Sequence, residues 1–98
     1  MIYLLCYDIS SNSIRTKIAK RIIQEGYERI QKSIYVSINN PKDNKILWSF
    51  MQKKICEDKN AKLMIIPLSR NNFYSLKYFG NFDLDIEYIL GEKRSLII

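Results

Sequence analysis

Asp8 follows an unbroken apolar run, Ile2-Tyr3-Leu4-Leu5-Cys6-Tyr7, and the sixteen residues after it, Ile9 to Gln24, hold Arg15, Lys17, Lys20 and Arg21 but no acid. One carboxylate beside a basic segment points to a magnesium ion and a nucleic-acid backbone, because hard cations take oxygen ligands and Lys or Arg attract phosphate. Arg15 falls between the isoleucines of that segment, toward Asp8. Two roles are open to it, an Arg-carboxylate pair and a phosphate contact, and one guanidinium serves either.

The chain has no histidine. That excludes His-based acid or base chemistry, Ser-His-Asp and Cys-His systems, and ordinary zinc sites. Cys6 and Cys56 lie fifty positions apart without Cys-x-x-Cys spacing, and both are expected to be core thiols. Three glycines form no phosphate loop and no Gly-x-Gly-x-x-Gly. Any chemistry must run on carboxylates, hydroxyls and metal.

The elements that must position these groups follow from periodicity. Ile2 to Tyr7 reads as a buried strand. Asn12 to Glu25 reads as a helix, with Ile14, Ile18 and Ile22 four apart and Gly26 as its stop. Lys17, Lys20 and Arg21 share the opposite, solvated face. Tyr27 to Ile38 reads as two strands joined tightly near Lys32. Asn40-Pro41 supplies a cap and a first-turn proline for a second helix over 42–57, with Ile46, Leu47, Phe50 and Met51 as the buried stripe and Trp48 partly exposed. Lys62 to Leu68 reads as a short buried strand with its proline near the end.

This order, strand, helix, strand, strand, helix, strand, describes an α+β ferredoxin-like βαββαβ sandwich, one antiparallel sheet with two helices on a single face. The other face then needs a partner or a use. At 98 residues and 47% hydrophobic content the chain is expected to be one domain over 1–98, with a core of about 1–68 and a dimerisation or partner tail of about 69–98. In the tail, Asn72 to Phe79 reads as a short helix, and Asp83 to Leu90 fits either a strand or a helical turn. Ser95-Leu96-Ile97-Ile98 reads as an additional strand docked on another subunit's sheet edge.

The net charge of +6 lies in the first half: residues 1–56 hold ten Lys or Arg against four acids, and residues 57–98 hold six of each. A one-sided basic surface favours RNA or DNA as partner. No secretion signal and no apolar run of about 20 residues occurs, so a cytoplasmic chain without a membrane partner is expected.

Tyr7-Asp8, Arg15 early in helix one, and Arg29-x-Gln31-x-Ser33-Ile34-Tyr35 form an ordered set across the chain. The set resembles the CRISPR-associated protein two family, the small partner of the CRISPR integrase. The resemblance implies a homodimer with the C-terminal strand added across subunits. It also implies that Asp8 is the catalytic, metal-binding aspartate, two copies of which meet at one cleft around magnesium, with manganese as a substitute. Tyr7, Arg15, Arg29, Ser33 and Tyr35 match positions the family uses around that cleft. Lys17 stands where some members carry arginine, and Tyr35 where phenylalanine is frequent.

The function implied is CRISPR adaptation, as a metal-dependent endonuclease on RNA or duplex DNA. Rival readings are a non-catalytic subunit that holds duplex DNA between integrase copies, and a ferredoxin-like ribonuclease toxin or ligand sensor.

Overall fold

The computed structural model describes residues 1–75. Strand β1 (Ile2–Asp8) leads to helix α1 (Asn12–Gln24), then strands β2 (Glu28–Gln31) and β3 (Ile34–Ser37). A 3-10 turn (Pro41–Asp43), helix α2 (Lys45–Cys56), strand β4 (Lys62–Leu68) and a short helix α3 (Arg70–Tyr74) follow. The strands form one sheet in the order β2-β3-β1-β4, with antiparallel pairing throughout. This is the ferredoxin-like arrangement expected from the alternation of elements. The readings for Asp83 to Leu90 and for the C-terminal strand lie outside the described residues.

β1 is central and apolar on both sides, which is why its sequence runs without polar interruption. Leu5, Tyr7 and Ile9 pack with Ile18 and Ile22 of α1 and Leu47 and Met51 of α2. Ile2 and Leu4 face the other way, with Val36 and Phe73. Phe73 of α3 therefore covers part of the sheet face opposite α1 and α2. Burying such a ring stabilises the fold by roughly 1.5–3 kcal/mol.

α1 starts where the Ser11 side chain accepts from Ile14 N at 3.3 Å. It stops because Gly26 adopts φ +89, a left-handed conformation that glycine takes without a Cβ clash.

Four expectations need correction. The second helix does not begin at Asn40-Pro41; those residues open the 3-10 turn, and Asn44, in extended conformation, caps α2 by accepting from Leu47 N at 3.1 Å. Ile46 is not on the buried stripe but 68% exposed, because the stripe is Leu47, Met51 and Ile55 at a spacing of four, and Ile46 lies about 100° away. β4 is an edge strand that alternates exposed and half-buried residues rather than a buried one. Pro67 sits there exposed, where a missing N–H matters least. Finally, Cys56 is exposed at the end of α2, while Cys6 is half-buried and its thiol pKa is raised by that burial. Trp48 is half-buried against the core, as expected.

Candidate active site at the end of the central strand

Asp8 is the last residue of β1 and is exposed. Three segments meet beside it. Ile9, 4% exposed, anchors the chain immediately afterwards, so the carboxylate is carried between a paired strand and a buried side chain. On one flank the antiparallel register sets Lys62 opposite Asp8. On the other, Tyr7 N donates to Ser33 O at 3.1 Å, which brings the Lys32-Ser33 turn to the same end of the sheet.

Ser33 has φ 70, in the left-handed region. A positive φ at only the second residue of a two-residue turn is the pattern of a type II turn, where glycine is usual. Ser33 thus shapes the turn by its backbone.

Arg15 does not form the pair with Asp8. Its Nη1 donates to the Ile9 carbonyl at 3.0 Å and its Nη2 donates to Asn12 Oδ1. The guanidinium clamps the connection from Asp8 into α1, since a planar fork of donors can hold two acceptors at once.

Tyr7, Tyr35 and Arg29 form a separate stack on the helix side of the sheet. The tyrosine oxygens are 3.1 Å apart and the rings lie 5.9 Å apart at 30°. Arg29 lies over the Tyr35 ring at 5.7 Å. Tyr35 is fully buried, and its phenol is held well above the ordinary range, first by burial and then by the bond and proximity to Tyr7, against an opposing pull from Arg29. It remains neutral and cannot act as a base near neutral pH. Strand alternation turns Asp8 to the face opposite Tyr7.

A sequence model of the family described as CRISPR associated protein Cas2 matches residues 1–75. The chain belongs to this family. Among its relatives is the CRISPR-associated endoribonuclease Cas2 of Aeropyrum pernix, 35% identical over 69 residues, covering 68% of this chain and 75% of that protein. A second, from Archaeoglobus fulgidus, named CRISPR-associated endoribonuclease Cas2 1, is 34% identical over 68 residues, 69% of this chain and 71% of the relative. In structure the chain is similar to Streptococcus pyogenes Cas2, with a TM-score of 0.66 at 20% identity over 82% of this chain and 100% of that one. That likeness supports the fold.

Within this Cas2-family chain the residues expected from sequence therefore divide. Asp8, Arg15 and Ser33 frame one end of the sheet. Tyr7, Tyr35 and Arg29 build the stack behind it. Lys17 lies apart, in a groove between α1 and α2. Lys62 was missed by sequence reasoning, although a signal existed: β1 and β4 are both seven residues long, so antiparallel pairing sets the last of one against the first of the other.

Among the described residues no cluster of three or more acidic, His or Cys side chains forms. Magnesium commonly binds through one or two carboxylates, waters and substrate phosphates. Asp8, exposed and oxygen-bearing, fits that donor set as one protein ligand.

Proposed function

We propose that this chain is a metal-dependent endonuclease of CRISPR adaptation that hydrolyses phosphodiester bonds in RNA or duplex DNA. In this reading it acts as a homodimer in company with an integrase subunit. The observation that carries it is the exposed Asp8 carboxylate at the end of the central strand, faced by Lys62 and flanked by the Lys32-Ser33 turn. The Aeropyrum and Archaeoglobus relatives, both named as endoribonucleases, support the choice of a nuclease.

Asp8 from each of two subunits would hold magnesium or manganese, so that a two-fold axis doubles a single carboxylate. The metal, when bound, supplies an activated water and neutralises charge developing on the phosphorus oxygens. Lys62 and Lys32 draw the phosphate toward Asp8. Arg15 positions Asp8 indirectly, by fixing the Ile9 carbonyl. The Tyr7-Tyr35 pair keeps β1 and β3 in register beneath the site.

The test is cleavage of labelled single-stranded RNA and duplex DNA by wild-type and Asp8→Asn protein, with magnesium and with EDTA. The variant is expected to lose at least about a hundredfold in rate, or about 2.7 kcal/mol of transition-state stabilisation, with its sedimentation unchanged. Full cleavage by cleanly purified Asp8→Asn protein refutes the reading. Binding without metal-dependent cleavage favours a DNA-holding subunit instead, a reading supported by the basic groove that lies away from Asp8.

A further inference from the structure

At the end of the sheet away from Asp8, where α1 stops and α2 starts, a pocket of about 460 Å³ is walled in part by Tyr3, Tyr27, Glu25, Asp43, Asn40 and Asn44. Tyr3 stands five residues before Asp8 on β1, about 17 Å away along the strand. We propose that this pocket binds an unstacked guanine base of a single-stranded nucleic acid. The proposal rests on the reading of the chain as a nucleic-acid-handling protein and adds a base preference to it.

The lining excludes the simpler ligands. The chain carries a net charge of +6, yet the pocket holds two carboxylates and no Lys or Arg, so a phosphate is repelled from it. Glu25 is partly satisfied by Arg21 at 3.5 Å, whereas Asp43 makes no ion pair among the described residues. Asp43 is therefore the free acceptor. Asn40 Oδ1 accepts from Lys42 N and Asn44 Oδ1 from Leu47 N, each at 3.1 Å. With both carbonyl oxygens engaged, each amide keeps its NH2 as the unused group, a donor. A simple organic cation would satisfy the carboxylates but offer these donors nothing. The pocket calls for a ligand that donates and accepts.

Aromatic walls narrow the choice to a flat one. Tyr3 lies opposite Ser37 in the β1-β3 register, and Tyr27, 8% exposed, bonds Ser37 through its hydroxyl. Unpaired bases are held in this way, against aromatic side chains and by hydrogen bonds to their edges. Guanine alone among the four bases places two donors, N1–H and N2–H2, side by side, so that one carboxylate accepts both, while its O6 accepts from an amide NH2. Adenine, cytosine and uracil each offer a carboxylate one donor position on that edge. Lys45, exposed beside Asn44, is placed to meet a flanking phosphate outside the pocket.

The test is fluorescence anisotropy of labelled U-U-G-U-U-U RNA in EDTA, which prevents metal-dependent cleavage, with A, C, U or inosine replacing G in parallel probes. The guanine probe is expected to bind about tenfold more tightly than the A, C and U probes, the lower end of what a bidentate base contact gives. Inosine, which lacks only the N2 amine, is expected to lose about threefold or more. Asp43→Asn is expected to bring all five probes within about twofold of one another and to leave duplex binding unchanged, because pairing hides the guanine edge. Asp43 is exposed, and circular dichroism checks that the variant folds.

Equal binding of all probes by the wild-type protein overturns the guanine pocket and leaves the nucleic-acid reading intact. A guanine preference that inosine retains in full, or that survives Asp43→Asn, overturns the assignment of Asp43 as the acceptor. If the wild-type protein binds neither these strands nor a duplex even at low salt, the reading on which the pocket rests fails with it.

Discussion

Replacing Tyr35 with phenylalanine removes one oxygen from a fully buried ring and leaves the ring itself, with Arg29 above it, in place. What remains is the Tyr7 hydroxyl, on a residue only 7% exposed, deprived of its partner at 3.1 Å. An orphaned buried hydroxyl costs about 1–2 kcal/mol, whereas removing both partners is nearly neutral because neither is left unpaired. Tyr35→Phe and Tyr7→Phe are each expected to lose about that amount, and the double variant no more than either alone. The coupling is then about 1–2 kcal/mol. Urea unfolding at fixed protein concentration reads it, with Trp48, packed against the same core cluster, as the fluorescent reporter. With a slope near 1.5 kcal/mol per molar, each single variant shifts the midpoint by about 1 M. Cleavage by Tyr35→Phe is expected to stay within a few-fold of wild type, since the tyrosine pair lies on the face opposite Asp8. Two single losses that simply add, or a tenfold fall in cleavage at unchanged stability, would refute the assignment of these tyrosines to packing.

Two other outcomes follow from local geometry. Ser33→Gly relieves a left-handed φ of 70 and is expected to raise stability by about 0.5–1 kcal/mol in the same urea assay; destabilisation would mean that the serine side chain, not its backbone, shapes the turn. Tyr27 is pushed up to about 12, chiefly by burial and also by Glu25, against the lowering effect of its bond to Ser37. An unfolded tyrosine ionises near 10, so above that pH the unfolded chain releases a proton that the folded chain keeps. Stability is therefore full below about pH 10 and falls as pH rises toward 12, by up to about 1.4 kcal/mol per unit. Tyr27→Phe should flatten that part of the alkaline unfolding curve, and an unchanged slope would show that Tyr27 titrates normally.

Where spacing is governed by one element, the sequence was legible. The isoleucines of α1, the glycine stop at Gly26 and the tight hairpin at Lys32-Ser33 all appear where their periods put them. What failed depended on neighbours. Two asparagines four residues apart both offer caps, and only the path of the chain decides that Asn40 starts a 3-10 turn and Asn44 the helix. Ile46 and Cys56 are apolar enough for a core, yet Leu47 and Met51 take the only face that α2 turns inward. β4 looked buried because its composition is that of an interior strand, while its place at the sheet edge comes from topology. At the candidate site, Asp8 was visible as a lone acid at a strand exit. The partner chosen by Arg15 was not, because a backbone carbonyl competes for the fork and leaves no mark in the sequence. The Tyr7-Tyr35 bond likewise needs the knowledge that β1 and β3 are neighbours.

Asp8 ends a strand that is held on both sides, by β3 and by β4, with a buried residue directly after it. A carboxylate on a free loop must be immobilised when its ligand arrives, and freezing one residue's backbone opposes binding by about 1–2 kcal/mol, or roughly five- to thirtyfold in affinity. Here that ordering is completed during folding. The amides of β1 should accordingly be among the last to exchange with solvent, and loading the site should leave their exchange rates almost unaltered, because the framework is rigid before anything binds.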